Sequence, residues 1–226
     1  MININTHKIL INLLFKNRDV IENNIKLKKI NYDDIVKLAS SHLMIPALYV
    51  RLRENKLLKE ISNELKEYLQ YIYNQNKIRN NNLIEELGSL SKLYIENNID
   101  HVFLKGSAYI AGGRFNDIAE RMVGDIDVLV AKSDYKKCVK LSKKFGYATN
   151  TTLIFDSKHY PRMTHPKKLF ALEIHSRLLK EKNKLLKPES FLNNKVLLKS
   201  NIYVPNKKNT ILHTIYNYQI NDFGNL

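Results

Sequence analysis

The chain has 226 residues, 44% of them hydrophobic, with 37 Lys plus Arg against 22 Asp plus Glu and a formal net charge of +15. That length fills one core or one and a half, and the charge points to an anionic partner such as nucleic acid, a nucleoside triphosphate or a membrane surface, although an AT-rich coding sequence yields the same Lys-, Asn- and Ile-rich bias. The single Cys138 excludes an intramolecular disulfide and a zinc site built mainly on cysteine, and no stretch approaches the ~20 apolar residues of a membrane span or a signal-peptide core, so a cytoplasmic protein without membrane association is expected.

From Thr6 to Asn98 glycine is almost missing and apolar residues recur at helical spacing. The spacing predicts a long helix from near Ile61 into the nineties, with Leu65, Leu69, Ile72, Tyr73, Ile78, Leu83, Leu87, Leu90 and Tyr94 along it. Asp33-Asp34 is expected to open an earlier helix and Pro46 to mark a turn or the first turn of another, while Asn80-Asn81-Asn82 and Gly88 are expected to bend or break the long one. This half either holds an acceptor or simply covers the later sheet.

From His101 the texture changes to short β-type runs separated by helical spacing. Phe103-Leu104 reads as a strand entering a Gly106-Ser107 turn and a short helix, and Gly112-Gly113 as a loose connection before Arg114. Asp125 to Val130 reads as a buried strand. A helix follows from Ser133, the expected cap, to a left-handed cap at Gly146, with Cys138, Val139 and Ser142 inside and Lys136, Lys137, Lys140, Lys143 and Lys144 outside. Thr151–Phe155 and Leu169–Leu178 read as strands around a turn-prone Pro161–Pro166 segment, Ile202–Val204 as one more strand, and Thr210–Ile220 as a helix. The expected fold class is α+β, a mixed sheet core with helices, divided into an N-terminal helical region (1–98), a core (99–200) and a C-terminal strand and helix extension (201–226).

An apolar strand has no ordinary use for Asp125 and Asp127, which the pleat puts on one face while Ile126, Val128 and Val130 take the other. Two carboxylates so close need a cation between them. Phosphoryl and nucleotidyl transfer need Mg²⁺ held by hard oxygen ligands, and a third acid, Glu173, on a neighbouring strand is placed to complete the set and to deprotonate a nucleophile. His175 shares the face of Glu173 and reads as an orienting or core histidine rather than a ligand. Gly106 and Ser107 sit where small residues let backbone N–H groups and a hydroxyl approach phosphate. Lys105 adjoins them, although strand alternation aims it away. Arg121 is either a phosphate clamp or a structural ion-pair partner, with Arg114 as the alternative clamp. His159, Arg162 and His165 lie in a turn-prone segment that either meets substrate phosphate or, as the simpler reading, is a solvated loop.

Leu104-Lys105-Gly106-Ser107, then Arg121-x-x-Gly124-Asp125-Ile126-Asp127-Val128-Leu129-Val130, then Glu173-Ile174-His175 resembles the polymerase-β-like nucleotidyltransferase superfamily, in particular its branch of uncharacterised nucleotidyltransferases. The resemblance covers about residues 101 to 178. It implies transfer of a nucleoside monophosphate from an NTP such as ATP to a hydroxyl, with Mg²⁺ or Mn²⁺ bound by Asp125, Asp127 and Glu173, and the nucleotide bound by Gly106, Ser107, Lys105 and Arg121. Members similar to this chain include toxin-like enzymes, which implies RNA, tRNA or protein as acceptor and an antitoxin partner. The basic charge favours RNA. A small metabolite, antibiotic or sugar acceptor stands second, and a non-catalytic nucleic-acid-binding module that keeps the fold stands as the rival of another class.

Overall fold

The computed structural model describes residues 4–16, 18–24, 30–150, 159–180 and 186–221. The chain divides into two compact units, Met1–Asn81 with Phe115–Met122, and Asn82–Arg114 with Val123–Leu226.

The first unit is helical: α1 (Ile4–Phe15), α2 (Arg18–Asn24), α3 (Tyr32–Ser41), α4 (Ile45–Glu54) and the first part of α5 (Asn63–Glu96). Helix α3 starts at the expected place because Asn31 Oδ1 accepts the backbone N–H groups of Asp33 and Asp34, and both acids lie in the first turn, where the helix dipole favours them. Pro46 occupies the first turn of α4, where its missing N–H costs nothing. Leu13, Ile21, Ile35, Leu48, Leu52, Leu57 and Leu69 form the core of this unit. The 115–122 segment is fixed by polar contacts: Asp117 accepts from Arg53 Nη2 at 2.7 Å and Tyr73 Oη at 2.9 Å.

Helix α5 is continuous from Asn63 to Glu96, so the expected break at Asn80–Asn82 does not occur. Asparagine breaks helices when its amide competes for nearby backbone groups. Here the Asn76 amide donates to the carbonyls of Ala119 and Arg121, and the Asn80 amide to those of Ile118 and Arg121, at 2.6 to 3.0 Å. Those side chains are committed to tertiary partners and leave the helix intact.

In the second unit, β1 (His101–Leu104) runs into α6 (Lys105–Ala111), β2 (Asp125–Val130) is followed by α7 (Tyr135–Lys144), and β3 (Ala171–His175) completes a sheet of order β1-β2-β3. Strands β1 and β2 are antiparallel, and β2 and β3 are parallel. The stretch from His159 to Thr164 lies along the outer edge of β3, with bridges His159 to His175 and Met163 to Leu172. Beyond the sheet come α8 (Pro188–Asn193), the hairpin of β4 (Lys195–Leu197) and β5 (Tyr203–Pro205), and α9 (Lys207–Tyr216), which continues into a π turn at Asn217–Asn221.

One sheet face buries Val102, Leu104 and Leu129 against Leu178, Leu179, Leu186, Phe191 and Leu192. The opposite set, Phe103, Ile126, Val128, Val130, Leu172 and Ile174, is fully buried. Helix α7 begins one residue later than expected, with Asp134 rather than Ser133 before it, and Gly146 ends it at φ +108°, where a Cβ would fall 2.5 Å from the His165 ring. Its five lysines are all exposed. The expected strand Leu169–Leu178 shortens to Ala171–His175, and the expected strand Thr151–Phe155 lies outside the described residues. No described helix is long and apolar enough to cross a membrane.

Candidate active site

Strand register brings the acids together. Asp127 pairs with Leu104 on one side and with Glu173 on the other, and Asp125 pairs with Ala171. Side chains of directly paired residues share a face, so Asp125, Asp127, Glu173 and His175 project to one side of the sheet. One carboxylate oxygen each from Asp127 and Glu173 and one nitrogen of His175 lie within 4.8 Å of one another.

Asp127 is the buried centre of the group, 1% exposed. Its Oδ1 accepts from Lys105 Nζ at 2.5 Å and from His175 Nε2 at 2.8 Å. A carboxylate can only accept, so the Nε2 nitrogen of His175 carries the proton of that bond. Burial alone would raise the Asp127 carboxyl, but the hydrogen bond and charge of His175 and the ammonium of Lys105 outweigh it and hold the group well below the usual carboxylate range. Asp125 shifts the other way: burial pushes it up, and the negative charges of Asp127 and Glu173 push in the same direction. Glu173 is held below its ordinary value, first by His175. The His175 Nε2 to Glu173 Oε2 distance of 3.7 Å is too long for a hydrogen bond, so this hold is electrostatic.

The direction of Lys105 is the main departure from the sequence reading. Alternation along β1 aims it away from the acids, but β1 stops at Leu104 and Lys105 opens α6 at φ +50°, in the left-handed region. That turn swings its side chain onto Asp127. Burial lowers the Lys105 ammonium, and Asp127, Glu173 and Asp125 together more than offset this and raise it, so the group stays a cation.

The remaining expected residues occupy varied settings. Gly106 is tight: a Cβ there would stand 2.9 Å from Val123 Cγ2. Ser107 is fully buried and its Oγ donates to the Leu104 carbonyl at 2.9 Å. Arg114 is exposed at the end of the α6 segment. Arg121 belongs to the 115–122 segment of the other unit, where its carbonyl accepts from Asn76 and Asn80 and its side chain is exposed. Two residues read as loop adjoin the acids. His159 Nε2 lies 3.9 Å from Glu173 Oε2, with its ring centroid 5.0 Å from that of His175, and Arg162 Nη2 reaches the Gly124 carbonyl at 3.4 Å, where its charge acts on Asp125. No local pattern announces them: both sit on a segment whose bridges to the edge of β3 are set by that strand's register.

A family model described as uncharacterised nucleotidyltransferase matches residues 28–225. The chain belongs to that family. No curated protein and no solved structure matches it. For a nucleotidyltransferase the geometry has a clear test, which is whether the acids suit a divalent cation. Three carboxylates on one face supply hard oxygen donors, and the single ammonium of Lys105 neutralises one of their three charges. The group of Asp127, Glu173 and His175 could therefore hold a divalent cation.

Proposed function

We propose that this nucleotidyltransferase moves a nucleoside monophosphate from an NTP to a hydroxyl acceptor, with Asp125, Asp127 and Glu173 as ligands of a divalent cation. The observation that carries this reading is the register pairing Asp127 with Glu173, two residues along from Asp125 on the same face. A cation bound there supplies Lewis-acid stabilisation of the triphosphate and of the attacking oxygen. The acceptor oxygen forms a bond to the α-phosphorus, the bond between the α- and β-phosphates breaks, and pyrophosphate departs with the electron pair. The hydroxyl proton goes to Glu173, beside which His159 Nε2 lies at 3.9 Å. Asp127, fixed by Lys105 and His175, keeps its place as a ligand. Gly106 offers close backbone approach to phosphate. Ser107 takes part through its backbone, because its hydroxyl is spent on Leu104. Arg162 adds a cation on the Asp125 side.

The acceptor we propose is RNA. Lys136, Lys137, Lys140, Lys143 and Lys144 are all exposed on α7, and a run of cations on one helix suits a phosphate backbone. The test is incubation of the protein with each labelled NTP, Mg²⁺ or Mn²⁺, and total RNA, for the wild type and Asp127→Ala, followed by mass spectrometry of the RNA and protein pools. Label on RNA that disappears in the variant supports the reading. Transfer surviving the substitution rejects the site, label on protein rejects RNA as the acceptor, and RNA binding without transfer favours a non-catalytic module.

A further inference from the structure

The acid cluster already contains a cation that belongs to the chain. Lys105 Nζ sits 2.5 Å from Asp127 Oδ1, with 29% of its side chain exposed against 2% for Asp127. It arrives there through a backbone conformation that a residue with a side chain rarely adopts, φ +50°. A lysine following the strand's alternation would have pointed away, so the strained turn and the ion pair are one device.

We propose that Lys105 is a resident cation that takes the place of one of the two divalent ions such an acid cluster can bridge, so that the free protein takes up one divalent ion, shared by Asp125, Glu173 and the remaining oxygen of Asp127. This inference rests on the metal-site reading above. Two observations carry it. The first is occupancy: Asp127 Oδ1 accepts from both Lys105 and His175, which uses its two lone-pair directions and leaves Oδ2 as the only Asp127 oxygen open to a metal. The second is charge. Three carboxylates carry three negative charges against the Lys105 ammonium and the Arg162 guanidinium that acts on Asp125, so one divalent ion already takes the cluster past neutrality and a second would add two more positive charges.

The test counts Mn²⁺ bound per chain in the absence of nucleotide, by equilibrium dialysis and by the EPR signal of free Mn²⁺. Three variants are compared with the wild type. Lys105→Met keeps the apolar stem without the charge, Lys105→Gly removes the charge and suits the left-handed backbone, and Lys105→Arg keeps the charge. The expected result is one Mn²⁺ for the wild type and K105R, and two for K105M and K105G, the second detected also as spin–spin broadening between neighbouring ions. Two ions in the wild type, or one ion retained in both K105M and K105G when circular dichroism shows them folded, overturns the inference alone. No Mn²⁺ in any of the four proteins overturns the metal site itself and with it the proposed function.

Discussion

Substituting Gly106 by alanine places a Cβ 2.9 Å from Val123 Cγ2 and 3.5 Å from Cγ1, where carbon atoms normally rest at about 3.5–4.0 Å. Val123 is 7% exposed and β-branched, so it has neither room nor rotamer freedom to yield. Overpacking of this kind costs about 1–3 kcal/mol, and the better helix propensity of alanine over glycine returns about 1 kcal/mol. Val123→Ala alone deletes two buried methyl groups, a loss of about 1.6 kcal/mol before any cavity term. In the double variant the new methyl group enters the space the valine vacated, so the two costs do not add, and the coupling should reach about 1–2 kcal/mol. Urea unfolding followed by far-UV circular dichroism reads this directly. With a slope of about 2 kcal/mol per molar, the double variant should unfold about 0.5–1 M later than the sum of the single effects requires. Additivity within about 0.3 kcal/mol would refute the claim that Val123 is what demands glycine beside Lys105.

Burial pushes the Cys138 thiol up to about 12, so Ellman's reagent near pH 8 should leave the native protein unlabelled and titrate one thiol after denaturation; rapid native labelling would contradict the packing of α7. The Asp117 carboxyl is raised by burial, but hydrogen bonds from Arg53, the Ala119 N–H and Tyr73 outweigh this and place it below its ordinary value. The stability it contributes is therefore present above the unfolded value, about pH 3.9, and is lost as pH falls through the lower folded value. Asp117→Asn should flatten that part of the acid dependence of the urea midpoint, and parallel wild-type and variant curves would reject the pairing. Tyr147→Phe removes a buried hydroxyl that donates to Glu86, also buried, and should cost about 1.5–3 kcal/mol in the same urea assay. A change below about 0.5 kcal/mol would place that hydroxyl elsewhere.

The sequence carried much of the second unit in plain form. Alternation in Asp125 to Val130 separates acids from core residues, and the same rule places Glu173 and His175 together, because both are backbone periodicities that tertiary structure leaves alone. It failed at Lys105, where a positive φ interrupts the period, and no local residue pattern announces that a lysine will occupy a position glycine usually takes. It also failed at Asn80, which looks like a helix breaker until its distant partners Ile118 and Arg121 are known. The loop reading of His159 and Arg162 missed the edge of β3 for a similar reason. Proline in the run argued for a turn, and only the register of the neighbouring strand reveals the pairing.

Strand β3 stands at the margin of its sheet, held on its outer side by bridges at His175 and Leu172 rather than by a full ladder. Its bond to β2 closes the long excursion from Ala131 to Phe170, an ordering cost that neighbours in sequence do not bear. Fraying of that margin would part Glu173 from Asp127 while every helix stayed wound. Heat or mild denaturant should therefore silence the proposed transfer well before ellipticity declines, which would make that transfer a finer gauge of the fold than its helical signal.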